Sequence, residues 1–376
     1  MALNIKVSRQ ELYAALSSIQ NITGKKGTMA ILANVLITTD NNTITLSATD
    51  LEIAIKTKVE AEILEPGSIT LPARKLFEVV RESDCEFISI EEREKCWVRL
   101  IAGKNKCNIA GIKADEFPNF PEHNKEAMVE FSSDFIREMI DKTIFSVAGE
   151  GESQFTLSGV LVEGDKNEEG TDILRFVSSD GHRLTVMEKE CESSLEVFDF
   201  SSPIIIPRKG LQEIKKLSDS AELMRIGFQG KQMVILCENS LMIIRLISGD
   251  FPDYRNILSM IEKTNSMKVN REALYDAVKF MNLFSEDRFN LIKFEISKEL
   301  LILSSESTDE NGDSKIDISY IGENIKVGFN GRYFIDVLSV MLGENIDIYI
   351  KSEENPCMIE SEEDPGFLSI IMPMKI

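Results

Sequence analysis

The stretch Leu71-Pro72-Ala73-Arg74-Lys75-Leu76-Phe77 returns as Ile206-Pro207-Arg208-Lys209-Gly210-Leu211 and, more loosely, as Phe329-Asn330-Gly331-Arg332-Tyr333-Phe334. Each copy reads as an apolar strand end running into a helix. Proline suits a helix's first turn, where its missing N–H has no intrahelical partner. In the third copy Phe334, Val337, Leu338 and Met341 continue as one apolar helical face. Three copies in one chain point to a repeated domain, and the spacing is too long for a solenoid.

A second signal recurs upstream of each copy. Val7-Ser8-Arg9-Gln10-Glu11-Leu12 sets Ser8 and Glu11 at capping-box spacing, with Leu12, Ala15, Leu16 and Ile19 on one helical face. Phe131-Ser132-Ser133-Asp134 opens the same pattern with Ile136, Met139 and Ile140. Val269-Asn270-Arg271-Glu272 opens it with Leu274, Ala277, Val278 and Met281. Strand signals fill the rest: Thr43-Ile44-Thr45-Leu46-Ser47 alternates, and residues 233–236 and 346–350 read alike. Asp115-Glu116-Phe117-Pro118-Asn119-Phe120 closes the first copy and returns as Gly249-Asp250-Phe251-Pro252-Asp253-Tyr254. The third copy ends on Ile370-Ile371-Met372-Pro373-Met374-Lys375-Ile376, where a linker would begin. The fold expected is α+β: three tandem copies of a domain with two helices packed on β-sheets, over residues 1–125, 126–258 and 259–376. The acidic run Ser304–Ser314 reads as a long loop that makes the third copy less regular.

Composition narrows the function. The 376 residues, 43% apolar and 28% charged, fit a multidomain globular protein. The N-terminal residues lack a secretory pattern and no apolar run reaches a membrane span, so a cytoplasmic protein with no membrane partner is expected. Cys85, Cys96, Cys107, Cys191, Cys237 and Cys357 are scattered, as free thiols in a reducing compartment would be. The net charge of −21 argues against nucleic acid until the basic residues are located. The six helical segments 6–19, 72–83, 132–143, 207–219, 269–284 and 330–341 sum to +3, leaving −24 on the remainder. Such segregation suits a ring whose helices line a hole around DNA and meet phosphates without reading bases. Lys and Arg in a first helical turn oppose the helix dipole, and their recurrence at Arg74-Lys75 and Arg208-Lys209 leans toward function. Arg137, Lys215 and Lys216 join them by the same charge count.

Catalytic signals are missing. No phosphate loop occurs, and Gly149-Glu150-Gly151 lacks the third glycine of a dinucleotide fingerprint. Two histidines, His123 and His182, give metal or triad chemistry little to work with. Ser179-Asp180-Gly181-His182 holds hydrolase residue types, but adjacent in sequence, whereas a triad is assembled from separate elements. No catalytic, cofactor or metal site is expected. An acidic scaffold that binds peptides without encircling DNA is the reading to be discriminated.

Taken together, Leu71–Lys75, Asp180-Gly181-His182-Arg183-Leu184, Pro207–Gly210, Phe251-Pro252-Asp253-Tyr254-Arg255 and Met372–Ile376 make the chain closely resemble the bacterial DNA sliding clamps, the beta subunits of DNA polymerase III. The likeness spans all three repeats in the family's order. It implies a head-to-tail homodimer forming a closed ring of six domains on double-stranded DNA. It places Leu283 and Phe284 against the partner's first repeat, around Cys107. Lys26, Arg74, Lys75, Arg208 and Lys209 match basic positions that face DNA.

The resemblance also implies a cleft on the second and third domains. There DNA polymerase III alpha, clamp-loader subunits, other polymerases and repair proteins dock through short hydrophobic motifs. The matching positions are Leu157, Ser179, Gly181, His182, Arg183, Leu184, Pro252, Ile257, Phe289, Asn330, Tyr333, Ile370, Met372, Pro373, Met374, Lys375 and Ile376. A terminus bearing two methionines agrees, since methionine adapts to varied partners. The departures are Asn256 where the family can carry arginine, Pro356 where a small polar residue can line the cleft, and Lys375-Ile376 in place of Arg-Leu. They bear on motif preference.

Overall fold

The structure is a computed structural model that describes residues 3–23, 29–124, 127–149, 151, 155–285 and 290–376. The first repeat runs β1 (Asn4–Ser8), α1 (Arg9–Ile19), β2 (Asn34–Asp40), β3 (Thr43–Thr49), β4 (Ile53–Glu65), β5 (Ser68–Pro72), α2 (Ala73–Arg81), β6 (Phe87–Glu92), β7 (Trp97–Ala102) and β8 (Asn105–Ala110). The second repeats that order as β9 (Val129–Ser132), α3 (Ser133–Asp141), β10 (Gly159–Lys166), β11 (Asp172–Ser179), β12 (Arg183–Glu190), β13 (Ile204–Pro207), α4 (Arg208–Ser218), β14 (Leu223–Gln229), β15 (Gln232–Cys237) and β16 (Ser240–Arg245). A short helix, α5 (Tyr254–Ser259), leads into the third. That repeat comprises β17 (Ser266–Asn270), α6 (Arg271–Met281), β18 (Leu291–Ile296), β19 (Leu300–Glu306), β20 (Asn311–Asp317), β21 (Ile325–Asn330), α7 (Gly331–Val340), β22 (Asn345–Tyr349), β23 (Cys357–Glu360) and β24 (Phe367–Ile371).

Local chemistry sets the helix starts. Ser8 Oγ accepts from the Glu11 N–H at 3.5 Å, Ser132 Oγ from Phe135 at 3.2 Å, and Asn270 Oδ1 from Ala273 at 3.0 Å. The same cap thus opens the first helix of every repeat. Pro72 and Pro207 lie one position earlier than expected, as the last residues of β5 and β13 rather than inside a helical turn. Basic residues in the first turns also have a structural use, which the helix dipole alone does not suggest. Arg9 donates to the carbonyls of Val80 and Arg81 at the end of α2, and Arg271 to those of Leu338 in the last turn of α7 and Gly343 just past it. Each satisfies orphan carbonyls of a neighbouring helix.

The chain packs as two compact units: Met1–Ile136 with Glu196–Asp199 and Lys209–Leu246, and Arg137–Leu195 with Phe200–Arg208 and Ile247–Ile376. In the first, one sheet runs β9-β14-β15-β16-β4-β1-β6-β7-β8, with β2, β3, β5 and the short strand Ile112–Lys113 attached off this path. Its seam between repeats is β16 against β4, from Ser240 opposite Thr57 to Ile244 opposite Ile53. In the second unit the order is β13-β10-β11-β12-β24-β23-β22-β17, with the short strand Ser319–Tyr320 beside β17, and the seam is β12 against β24, from Arg183 opposite Ile371 to Met187 opposite Phe367. A separate sheet, β20-β19-β18-β21, completes this unit. Repeats therefore join strand to strand, which covers edges that would otherwise seek foreign strands.

The helix faces read from the sequence are buried: Leu12, Ala15, Leu16 and Ile19 on α1, Leu274, Ala277, Val278 and Met281 on α6. In the third repeat Phe294, Phe329 and Phe334 are fully buried with ring centroids 4.9–5.3 Å apart. Each such ring contributes roughly 1.5–3 kcal/mol by burial. The expected acidic loop Ser304–Ser314 is corrected to the strands β19 and β20 joined by a four-residue turn, 307–310. Its acidic residues are exposed, Asp309 and Glu310 in the turn and Glu306 and Asp313 on the strands.

Candidate functional site

The site grows from a turn that two repeats share. Asp50 Oδ1 accepts the N–H groups of Glu52 and Ile53, while Thr49 Oγ1 accepts from Leu51 and donates to the Ile53 carbonyl. Asp180 Oδ1 accepts from His182 and Arg183, while Ser179 Oγ accepts from Gly181 and donates to the Arg183 carbonyl. Both turns need a left-handed residue, met by Leu51 at φ 76° and by Gly181 at φ 90°. Glycine takes that conformation without strain. In the first unit Asp50 holds the Lys209 ammonium. In the second unit the turn carries Arg183.

Arg183 is buried, so its guanidinium braces the site from within. It donates to Asp180 Oδ2 at 2.9 Å, Asp336 Oδ2 at 2.6 Å and the Phe145 carbonyl, with the Tyr333 centroid 4.4 Å from its Cζ. It thereby fixes α7 and the turn Ile144–Ser146 around the exposed Gly181 and His182. Asn330 is committed to capping α7 through the Arg332 N–H at 3.0 Å.

The terminal strand supplies the other wall. Leu184 pairs with Ile370, and both belong to a buried cluster with Leu161, Val186 and Met358 against which Ile257 and Phe251 pack. Beyond Ile371, the Met372 N–H donates to the His182 carbonyl and the Met374 N–H to the Gly328 carbonyl, 2.9 and 2.8 Å. The segment is thus pinned at two points, yet Met372 and Ile376 are 41% and 59% exposed. Leaving such apolar side chains in water is unfavourable unless something covers them. Pro373 and Met374 are half-buried and Lys375 is exposed. Ser179 and Leu157 are buried, so neither offers much surface, and Pro252 is exposed. Gly249, at φ 131°, would set a Cβ 2.9 Å from Thr156, which draws the Leu157 turn toward the Phe251-Pro252 segment. Asn256 Nδ2 is turned onto Asp253 at 2.8 Å, and Pro356 is buried. Phe289 lies outside the described residues. Next to Pro252, Tyr254 donates to Glu163, which also binds Arg255 at 2.9 and 3.1 Å. Burial and this carboxylate push the Tyr254 phenol well above its ordinary value.

Among the basic residues, Arg74 and Lys75 are exposed on α2 and share Glu78 at 3.3 and 3.8 Å. Arg208 donates to the Val147 carbonyl at 3.2 Å, and Lys216 pairs with Glu213 at 2.7 Å. Arg137 and Lys215 are half-buried. Lys26 lies outside the described residues. Lys142, counted with the helix charges, is buried in an ion pair with Asp364. The helices therefore offer less free positive charge than a residue count implies.

Among the described residues β8 ends the first unit's sheet and β20 ends the four-stranded sheet, so each has an edge with no strand beside it. Cys107 sits half-buried on β8; burial pushes its thiol up while Lys75, close by, opposes the rise. Leu283 is 71% exposed and Phe280, which the sequence reading missed, 53%. The Phe284 ring lies over Gly312 of β20, where a Cβ would be 3.0 Å from it. Asn270, Ala277, Phe280 and Ile316 line a groove of about 570 Å³ between α6 and β20. Among the described residues no group of His, Cys, Asp or Glu could hold a metal, and no helix is long and apolar enough to cross a membrane.

Three matching domains joined through continuous sheets, with an apolar terminal strand beside a turn on the next repeat, define the architecture of processivity clamps. The chain belongs to the DNA polymerase III beta subunit family: residues 3–121 match its N-terminal domain, 130–253 its central domain and 261–375 its C-terminal domain. It is 28% identical over 379 residues to the beta sliding clamp of Haemophilus influenzae, covering all of both chains. It is also 28% identical over 372 residues to that of Chlamydia muridarum, covering 98% of each. Over their full lengths it superposes on the Caulobacter crescentus clamp, solved with polyethylene glycol bound (TM-score 0.92, 25% identity), and on a Bartonella birtlesii clamp bound to griselimycin (0.93, 24%). The chain is a DNA sliding clamp by family.

Proposed function

We propose that two copies of this chain close head to tail around duplex DNA by joining β20 of one to β8 of the other, and that the ring tethers replication proteins without catalysing a reaction. The observation that carries the reading is the twice-repeated seam. In each, the fourth strand of one repeat pairs with the eighth of the next, and β20 and β8 are the fourth and eighth strands left open. Three turns of equal length, Thr49 to Ala54, Ser179 to Leu184 and Glu306 to Asn311, align the fourth strands. The hairpin pairs Cys237–Ser240 and Ala102–Asn105 align the eighth strands. Transferring the seam register, where Met242 faces Ile55, sets Cys107 opposite Gly312, Lys106 opposite Asp313 and Asn108 opposite Asn311. Charge agrees: Asp309 and Glu310 on the β19–β20 turn would meet Lys75 on α2, which lies close to Cys107 of β8. Phe280 on α6, with Leu283 and Phe284 just past its end, would cover the same seam.

In such a ring Lys26, Arg74, Arg137, Arg208, Lys215 and Lys216 contribute loose phosphate contacts that do not read sequence. Lys75 and Lys209 belong chiefly to seams. Domain boundaries near 1–125, 126–258 and 259–376 and a cytoplasmic setting complete the reading. The test loads the protein with a clamp loader and ATP onto nicked circular DNA. Retention on circles and release on linearising them are expected. Equal retention on both would favour a scaffold that binds without encircling.

The apolar face beside Gly181 and His182 is the docking cleft for hydrophobic tails of polymerase alpha, clamp-loader and repair proteins. Arg183 and Tyr333 hold its shape, and Met372, Met374 and Ile376 adapt to the occupant. Griselimycin, bound in the Bartonella structure, is the probe: calorimetric titration of the intact dimer is expected to show one site per chain, and absence of binding would count against the cleft.

A further inference from the structure

Lys142 is the basic residue most at odds with its surroundings. It follows α3, and its side chain is only 5% exposed. Its ammonium pairs with Asp364, whose side chain is fully buried; Glu138 Oε1 lies at 3.7 Å and the Phe367 ring centroid at 5.3 Å. The second carboxylate oxygen of Asp364 accepts the N–H groups of Leu342 at 2.9 Å and Gly343 at 3.0 Å, just past α7. Stability alone does not account for the pair. Desolvating two charges offsets most of their attraction, and an apolar pair of similar size commonly serves as well or better. What the ion pair fixes is geometry, because both partners must be met in one arrangement.

The segments it joins are the walls of the cleft. Lys142 leads directly into the turn Ile144–Ser146, whose Phe145 carbonyl receives Arg183. Leu342 and Gly343 directly follow the helix that carries Tyr333 and Asp336. Asp364 itself begins the turn into β24, which delivers Met372 to the His182 carbonyl. The seam in the other unit provides a contrast. Lys142 stands ten residues after the cap Ser132; ten residues after the cap Ser8 stands Ser18, which only bonds the Ala15 carbonyl of its own helix. The ion pair accompanies the seam that carries the cleft.

We propose that Lys142 and Asp364 are positioning residues for partner binding, which set the spacing of the three cleft walls without touching the partner. The proposal rests on the cleft reading above. The variants K142M, D364N and K142M/D364N are titrated with griselimycin beside wild type, with dimer state and Tm recorded. The variant L46A, a core change on β3 in the other unit, serves as the control for lost stability. Each ion-pair variant is expected to weaken griselimycin about tenfold, while L46A lowers Tm and leaves the affinity unchanged. K142R, which keeps a cation, is expected to recover most of the affinity. Ion-pair variants that lose Tm but bind within twofold of wild type would overturn the proposal. If the single variants do not fold, the neutral double variant decides on the same readout. Wild type that does not bind griselimycin would sink the cleft reading, a distinguishable failure.

Discussion

Lys106→Glu tests the ring seam at an exposed pair of opposite charge. In the transferred register Lys106 stands directly across from Asp313, both on solvent-facing positions. An opposite-charge pair across two strands contributes about 0.2–1 kcal/mol, and a like-charge pair costs a similar amount. Reversal therefore costs about 1–2 kcal/mol per seam at the upper end of that range. A head-to-tail dimer closes through two identical seams, so the ring loses about 2–4 kcal/mol, or about 30- to 700-fold in dimer Kd. Sedimentation over a dilution series reads this directly, and added salt is expected to narrow the gap. Asp313→Lys in the same chain restores the pair with its sign reversed and is expected to return Kd to near the wild-type value. A Lys106→Glu dimer of unchanged Kd, or a double variant no better than the single, would refute the register.

Deleting Met372–Ile376 removes the bonds to His182 and Gly328 but leaves β24 paired, so griselimycin binding is expected to vanish in calorimetry while sedimentation still shows a dimer. Gly164→Val would drive its side chain into Phe200, whose ring already occupies the space of an ideal Cβ; overpacking of this kind costs about 1–3 kcal/mol in denaturant melts. Burial pushes the Cys191 thiol up to about 11 and that of Cys357 to about 12. Folded protein thus holds these protons after the unfolded chain has released them, and stability measured by denaturant is expected to fall as pH rises from 9.0 toward 12. Thiol labelling at about pH 8 should spare both residues and reach the half-buried Cys85 and Cys96 first.

Much of the fold was legible because local rules repeat. Ser8, Ser132 and Asn270 each cap a helix three residues before the N–H they accept, and such spacing can be read without a structure. The helix faces follow from 3.6-residue periodicity in the same way. What the chain brings together over long distances was not legible from the residues alone. Arg9 reads as an unfavourable first-turn charge, yet its guanidinium lies on carbonyls 71 and 72 residues away. Lys142 counts as helix charge in the sequence, while its partner stands 222 residues on. Residues 304–314 read as a loop because acidic side chains mask the alternation of a strand with one solvated face. In the cleft, the turn residues Ser179–Leu184 came from family resemblance. The role of Arg183 as an internal brace depends on Asp336 and Phe145, which no local pattern announces.

The central claim, closure by β20 on β8, is tested most directly by a cross-link. Asn108→Cys and Asn311→Cys in one chain, on a Cys107→Ser background, place thiols on residues opposed in the transferred register, close enough for a disulfide. On oxidation the expected product is a dimer closed at both seams that resists denaturing gels and stays on circular DNA in high salt. Each single-cysteine variant should give none. Cross-linking that fails in the double variant, or that forms more readily in a different register such as Asn108→Cys paired with Ser314→Cys, would contradict this seam.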